Sequence, residues 1–111
     1  MSKALLLAII MVESSGRPDA VNGDAVGILQ IRPIMVKDCN RILKAPVFSL
    51  EDRWDPEASQ EMFRIYTNHY SHGQSAEVIA RRWYGGPRGE TKQASEVYWQ
   101  KVQNQLRKEK P

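Results

Sequence analysis

Ala4-Leu5-Leu6-Leu7-Ala8-Ile9-Ile10-Met11-Val12-Glu13-Ser14-Ser15-Gly16 is the stretch from which the rest of the chain can be read. Its apolar run contains strong helix formers and no charge. Ser2 can cap its start, and Gly16 with Pro18 can end it, so the pattern predicts a helix over about Ser2 to Ser14. A helix apolar on nearly every side belongs in a core. Glu13 closes the run. A carboxyl group there is partly desolvated, which disfavours its charged form and raises its pKa. An acid still protonated near neutral pH can donate a proton to a glycosidic oxygen.

Working outward, residues 17–32 are rich in Gly, Asn and Asp and show no helical period. They read as an ordered loop with a short hairpin around Asn22-Gly23-Asp24. Pro33 can open a second helix carrying Ile34, Val36, Ile42 and Leu43, which Ala45-Pro46 breaks. Ser49-Leu50-Glu51-Asp52 has the form of a short capped turn. Asp55-Pro56-Glu57 is a strong helix start: cap, proline at the first position, acid in the first turn. The helix after it aligns Met62, Ile65, Tyr66 and His69. Ser75 can cap a fourth helix ending near Trp83, Gly85 to Gly89 reads as a loop, and a last helix from about Lys92 to Arg107 aligns Ala94, Tyr98, Val102 and Leu106. Almost nothing favours strands. The expected fold is mainly α, one compact helical domain over residues 1–111 with little or no β-sheet. Trp54 and Trp99 are expected as packing anchors, and Trp83 fits either a core or a cleft wall.

Composition narrows the function. The length of 111 residues allows one core and not two. A net charge of +3 suits an acidic polymer such as a cell-wall glycan with carboxylated peptides. No basic stripe with interleaved aromatics is present, so nucleic acid is not an expected partner. The basic tail (Arg107, Lys108, Lys110) is expected to fray. Cys39 is the single cysteine and reads as a small buried hydrophobe. His69 and His72 lack partners at ligand spacing, so neither a metal nor a cofactor is expected. The apolar run superficially looks like a secretory signal, but no small-residue cleavage site follows and it leads directly into Glu13. It is also too short to span a bilayer, so membrane insertion is not expected.

From Glu13 onward the chain resembles the lytic transglycosylase family with the SLT domain, whose fold is lysozyme-like. The family pattern is a helix ending in Glu-Ser, then Pro and Ala, then Gly-Leu-Met-Gln and a Pro. Here Glu13-Ser14, Pro18, Ala20, Gly27-Ile28-Leu29-Gln30 and Pro33 stand in that order. Ala80-Arg81-Arg82-Trp83-Tyr84-Gly85-Gly86-Pro87 resembles the family's late Ala-Tyr-Asn-x-Gly-Pro motif, with Trp83 where Tyr is usual and Tyr84 where Asn is usual. Ser59-Gln60 stands near the place of a middle Asn-Ile pair.

The resemblance implies peptidoglycan as substrate, action at the cell wall or periplasm, and a monomer needing no cofactor. It implies that Glu13 alone serves as acid and base. Ser14, Gly27, Gln30, Trp83, Tyr84 and Gly86 are then the substrate-side candidates. By residue type, Ser14 can fix the helix end and Gly27 can permit close backbone approach. Gln30 offers a donor and an acceptor, and Trp83 and Tyr84 offer flat faces to sugar rings. Two other readings stand beside it. A lysozyme-type hydrolase would add a second carboxylate, with Asp24 the candidate and Asp19 less well placed. A weakly active glycan-binding module of a cell-wall-penetrating or phage particle would account for the altered Trp83-Tyr84 pair.

Overall fold

The structure is a computed structural model that describes residues 2–108. Helix α1 spans Lys3–Ser14, with the Ser2 side chain accepting from the Leu5 N–H at its start. Leu5, Leu6, Ala8, Ile9 and Ile10 are buried, so the apolar run forms the centre of the fold. The helix ends through a left-handed Ser15 (φ 57°), whose N–H donates to the Met11 carbonyl, and Gly16 (φ 82°). A left-handed residue followed by glycine stops a helix abruptly. Glu13 is thereby fixed in the last turn of a buried rod.

The loop that follows contains β1 (Val21–Asn22) and β2 (Ala25–Val26), paired antiparallel across Gly23-Asp24. Gly23 takes a positive φ of 62°, as such a tight hairpin requires. An isolated bridge between Val26 and Ile31 folds the next turn back on the hairpin. This ribbon is the only sheet among the described residues.

Helix α2 spans Pro33–Leu43, α3 Pro56–Ser71, α4 Ala76–Gly85 and α5 Gln93–Lys108. A 3-10 turn over Leu50–Trp54 precedes α3, closed by Asp52, whose side chain accepts from the Ser49 N–H. Asp55 and Ser75 cap α3 and α4 by accepting from Glu57 and Val78 N–H groups. One hydrophobic cluster joins all five helices, with α5 packed on α1 and α4, and α3 packed on α2 and α4. The Cα radius of gyration of 13.1 Å is that of a compact chain of this length.

Several expectations need correction. Helix α2 buries Met35, Val36 and Cys39, while Ile34 is 68% exposed and Leu43 is also exposed. Its core stripe is therefore offset from the expected set. Trp54 is exposed, because the 3-10 turn that carries it has no α-helical stripe to turn it inward. On α3 the buried face is Met62, Phe63, Tyr66 and Thr67, and His69 lies in solvent. Ala94 is exposed and Ser95 takes its place in the core side of α5. The loop after α4 is shorter than expected, since Gly85 still belongs to α4 and Gly89–Thr91 forms a 3-10 turn. Arg107 and Lys108 continue α5, and Lys110 lies outside the described residues.

Candidate active site

A cleft of about 620 Å³ opens along the end of α1. The Glu13 side chain lines it, with the β-hairpin (Asn22, Ala25) and Gln30 on one side and Trp83, Tyr84 and Gly86 on the other. Helix α5 completes it with Tyr98 and Lys101. Glu13 is the one acidic residue lining this cleft among the described residues. Asp24 and Asp19 are exposed and do not line it.

Burial pushes the Glu13 carboxyl from 4.5 up to about 7. Its position at the negative end of the α1 dipole acts in the same direction. The Tyr98 hydroxyl, donating to Glu13 Oε2 at 3.0 Å, is the main influence pulling it back, followed by the Trp83 side chain and the charge of Arg32. These three groups favour the carboxylate without overcoming its desolvation. The balance leaves a group that can hold or release a proton near neutral pH. Tyr98 itself is held as a donor: burial first, then the adjacent Glu13, push its phenol well above its ordinary range. Its ring stacks on Tyr84 at 4.6 Å with the planes 22° apart.

The six substrate-side candidates divide by location. Gln30, Trp83, Tyr84 and Gly86 all line the cleft. Gln30 holds a left-handed backbone (φ 52°), and its Nε2 donates to the carbonyls of Gly27 (3.0 Å) and Ala20 (3.2 Å). Its amide therefore ties the hairpin together at the cleft edge. Trp83 is both core and wall. It is only 4% exposed and meets Phe63 and Tyr66 edge-on, yet it lines the cleft. Tyr84 is 47% exposed and presents its ring to solvent at the opening.

Ser14 and Gly27 lie behind the cleft wall. The Ser14 hydroxyl is buried and donates to the Ile28 carbonyl at 2.8 Å while accepting from the Gly16 N–H. It latches the end of α1 to the turn that carries Gln30. A Cβ on Gly27 would lie 2.0 Å from the Arg53 carbonyl oxygen. Its missing side chain makes room for protein backbone, and its φ of +84° adds a second demand for glycine.

Sequence reasoning missed three residues. Tyr98 was visible only as part of an apolar stripe. Arg32 lines the cleft and tempers Glu13. Arg53 donates from one guanidinium nitrogen to the carbonyls of Asp24 (2.8 Å) and Ile31 (3.1 Å), and its own carbonyl accepts from the buried Ser59 hydroxyl at 2.9 Å. It pins the hairpin to α3 from behind.

The family model of the transglycosylase SLT domain matches residues 1–103. The chain belongs to that family. It is also 32% identical over 113 residues to invertebrate-type lysozyme 6 of Caenorhabditis elegans, a match that covers 88% of this chain and 82% of that protein. This SLT domain is accordingly mainly α and lysozyme-like, with glycan cleavage of peptidoglycan at the cell wall as the activity its family implies. No helix among the described residues is long and apolar enough to cross a membrane. No group of three or more His, Cys, Asp and Glu side chains among them could hold a metal ion.

Proposed function

We propose that this SLT domain is a lytic transglycosylase that cleaves the β-1,4 bond between N-acetylmuramic acid and N-acetylglucosamine, with Glu13 as its single acid and base. The observation that carries this reading is the isolation of Glu13. A carboxyl group with a pKa near 7 stands in a substrate-sized cleft that no other acidic side chain lines. Ordinary hydrolysis of such a bond uses two carboxyl groups, one to protonate the leaving oxygen and one as base or nucleophile.

A route with one carboxyl is chemically complete. Protonated Glu13 donates its proton to the glycosidic oxygen, the bond to the anomeric carbon breaks, and N-acetylglucosamine leaves with a new hydroxyl. The 6-hydroxyl of the same muramic sugar then forms a bond to that carbon. Its proton passes to Glu13, which restores the acid. The product is a 1,6-anhydro ring and no water is consumed. The nucleophile is already tethered to the reacting centre, so proximity replaces a second side chain. Tyr98 acts on Glu13 as a positioning residue. Its hydrogen bond fixes one carboxylate oxygen and is strongest when that oxygen is charged.

The relative named as a lysozyme favours a second reading, hydrolysis by the same acid. The position of Asp24, exposed on the hairpin turn, argues against its service as the second carboxylate. Turbidity loss of purified peptidoglycan tests the role of Glu13. The Glu13→Gln variant is expected to keep the fold and lose lysis altogether; retained lysis would refute the assignment.

A further inference from the structure

A second trough of about 440 Å³ shares Arg32, Met35, Trp83 and Gly86 with the Glu13 cleft, so the two adjoin. The trough is the more apolar of the two. The Glu13 segment offers neutral hydrogen-bonding groups at Asn22, Gln30 and Tyr84, beside the cations Arg32, Lys92 and Lys101. These are the partners that sugar hydroxyls and acetamido groups use. The trough has no amide side chain. Trp83, Tyr66 and Met35 line it, and Ile34 and Pro87 extend the apolar surface. Its charged groups are Arg32, Lys37, Asp38 and Arg41.

The acid in this set is consumed within the protein. Asp38 accepts from Arg41 Nε at 2.9 Å and from the Tyr70 hydroxyl at 2.6 Å. Arg32 and Lys37, both exposed, form no ion pair among the described residues. The trough is therefore an apolar surface with surplus positive charge, adjoining the Glu13 cleft.

We propose that this trough holds the peptide stem carried by the muramic sugar, its methyl groups on the apolar surface and its carboxylates beside Lys37 and Arg32. The inference rests on the peptidoglycan-cleaving reading above. The occupant must be attached to a glycan in the neighbouring segment, apolar in part, and anionic. A peptide stem meets all three conditions.

Two measurements test the proposal. In the first, the inactive Glu13→Gln protein is titrated at low salt with N-acetylmuramoyl-L-alanyl-D-glutamate and with the same compound amidated at its carboxylates. The acid form should bind about tenfold more tightly, and adding Lys37→Glu should abolish that preference. In the second, kcat/KM is compared on intact strands and on strands stripped of their stems by an amidase. Lys37→Glu and Ile34→Asp should each lower the value about tenfold on stem-bearing strands and leave stripped strands unaffected. Equal binding of acid and amide, or an equal fall on both polymers, would overturn the proposal. Should neither polymer be cleaved by the unmodified protein, the catalytic reading fails while the titration still decides the trough.

Discussion

The Tyr98 hydroxyl donates to Glu13 Oε2 at 3.0 Å, joining two side chains 85 positions apart in sequence. Helix α5 exists in the core for ordinary packing reasons, yet the tip of one of its buried residues ends on the reacting group. Replacing Tyr98 by Phe keeps the ring stacked on Tyr84 and removes only this hydrogen bond. Because the bond holds the carboxyl pKa down, its loss should raise that pKa. The alkaline limb of the pH–rate profile should shift upward, and the maximal rate should fall roughly ten- to a hundredfold for loss of a charge-assisted bond. A profile with an unmoved limb would show that Tyr98 does not govern the acid.

The pH dependence of the unmodified protein follows from the same group. Glu13 must be protonated to begin the reaction. With a pKa of about 7 the rate should hold below that value and fall about tenfold per unit above it. A single-proton limb in kcat/KM near pH 7, lost with the activity in Glu13→Gln, is the expected result.

Stability should move with pH in the opposite sense to that of a paired carboxylate. The folded pKa of Glu13 is raised above its unfolded value, so the folded state holds the proton more tightly. Below pH 4.5 both states are protonated and nothing is lost. Between pH 4.5 and about 7 the unfolded state ionises first, and stability falls as pH rises. Above pH 7 the penalty levels off, at most about 3 kcal/mol for a shift of this size. Glu13→Gln should therefore melt higher than the parent at pH 8, with the gap closing toward pH 4.5. A constant gap across that range would contradict the account.

Gly27→Ala should fail for reasons of backbone. The added Cβ meets the Arg53 carbonyl at 2.0 Å and the φ of +84° is unfavourable to alanine. A loss of about 3 kcal/mol or more is expected in chemical denaturation. Unchanged stability would mean that the hairpin and the 3-10 turn are not packed together as described.

Gln30→Ala adds no new backbone strain, since Gln30 already sits at φ 52°. It removes two hydrogen bonds to the Ala20 and Gly27 carbonyls, which should cost about 1–2 kcal/mol. The variant should fold and turn over more slowly. Collapse of the melting transition would mark the side chain as purely structural.

Much of the frame was legible because local chemistry dictates it. Ser2, Asp55-Pro56 and Ser75 start their helices, Gly16 stands just past the end of α1, and Gly23 bends the hairpin where the sequence placed a turn. The partial burial of Glu13 was also legible, since an uninterrupted apolar run has to enter a core. What could not be read was the set of contacts made by long side chains between distant elements. Periodicity places Tyr98 inward on α5, but only tertiary packing aims its hydroxyl at Glu13. Nothing local marks Arg53 as the clamp on the hairpin. Gly27 was expected at a close approach, and only the fold shows that the approaching group is the Arg53 carbonyl. Ile34 is apolar yet exposed, because the inward stripe of α2 passes through Met35, Val36 and Cys39.

The chemistry of the new chain end is the most direct test of a lone acid at the foot of the cleft. Mass spectrometry of fragments released from purified peptidoglycan, digested in ¹⁸O-labelled water, reads that end. The account predicts unlabelled 1,6-anhydro-muramic ends that disappear with Glu13→Gln. Reducing ends carrying the heavy oxygen would contradict it and identify a hydrolase.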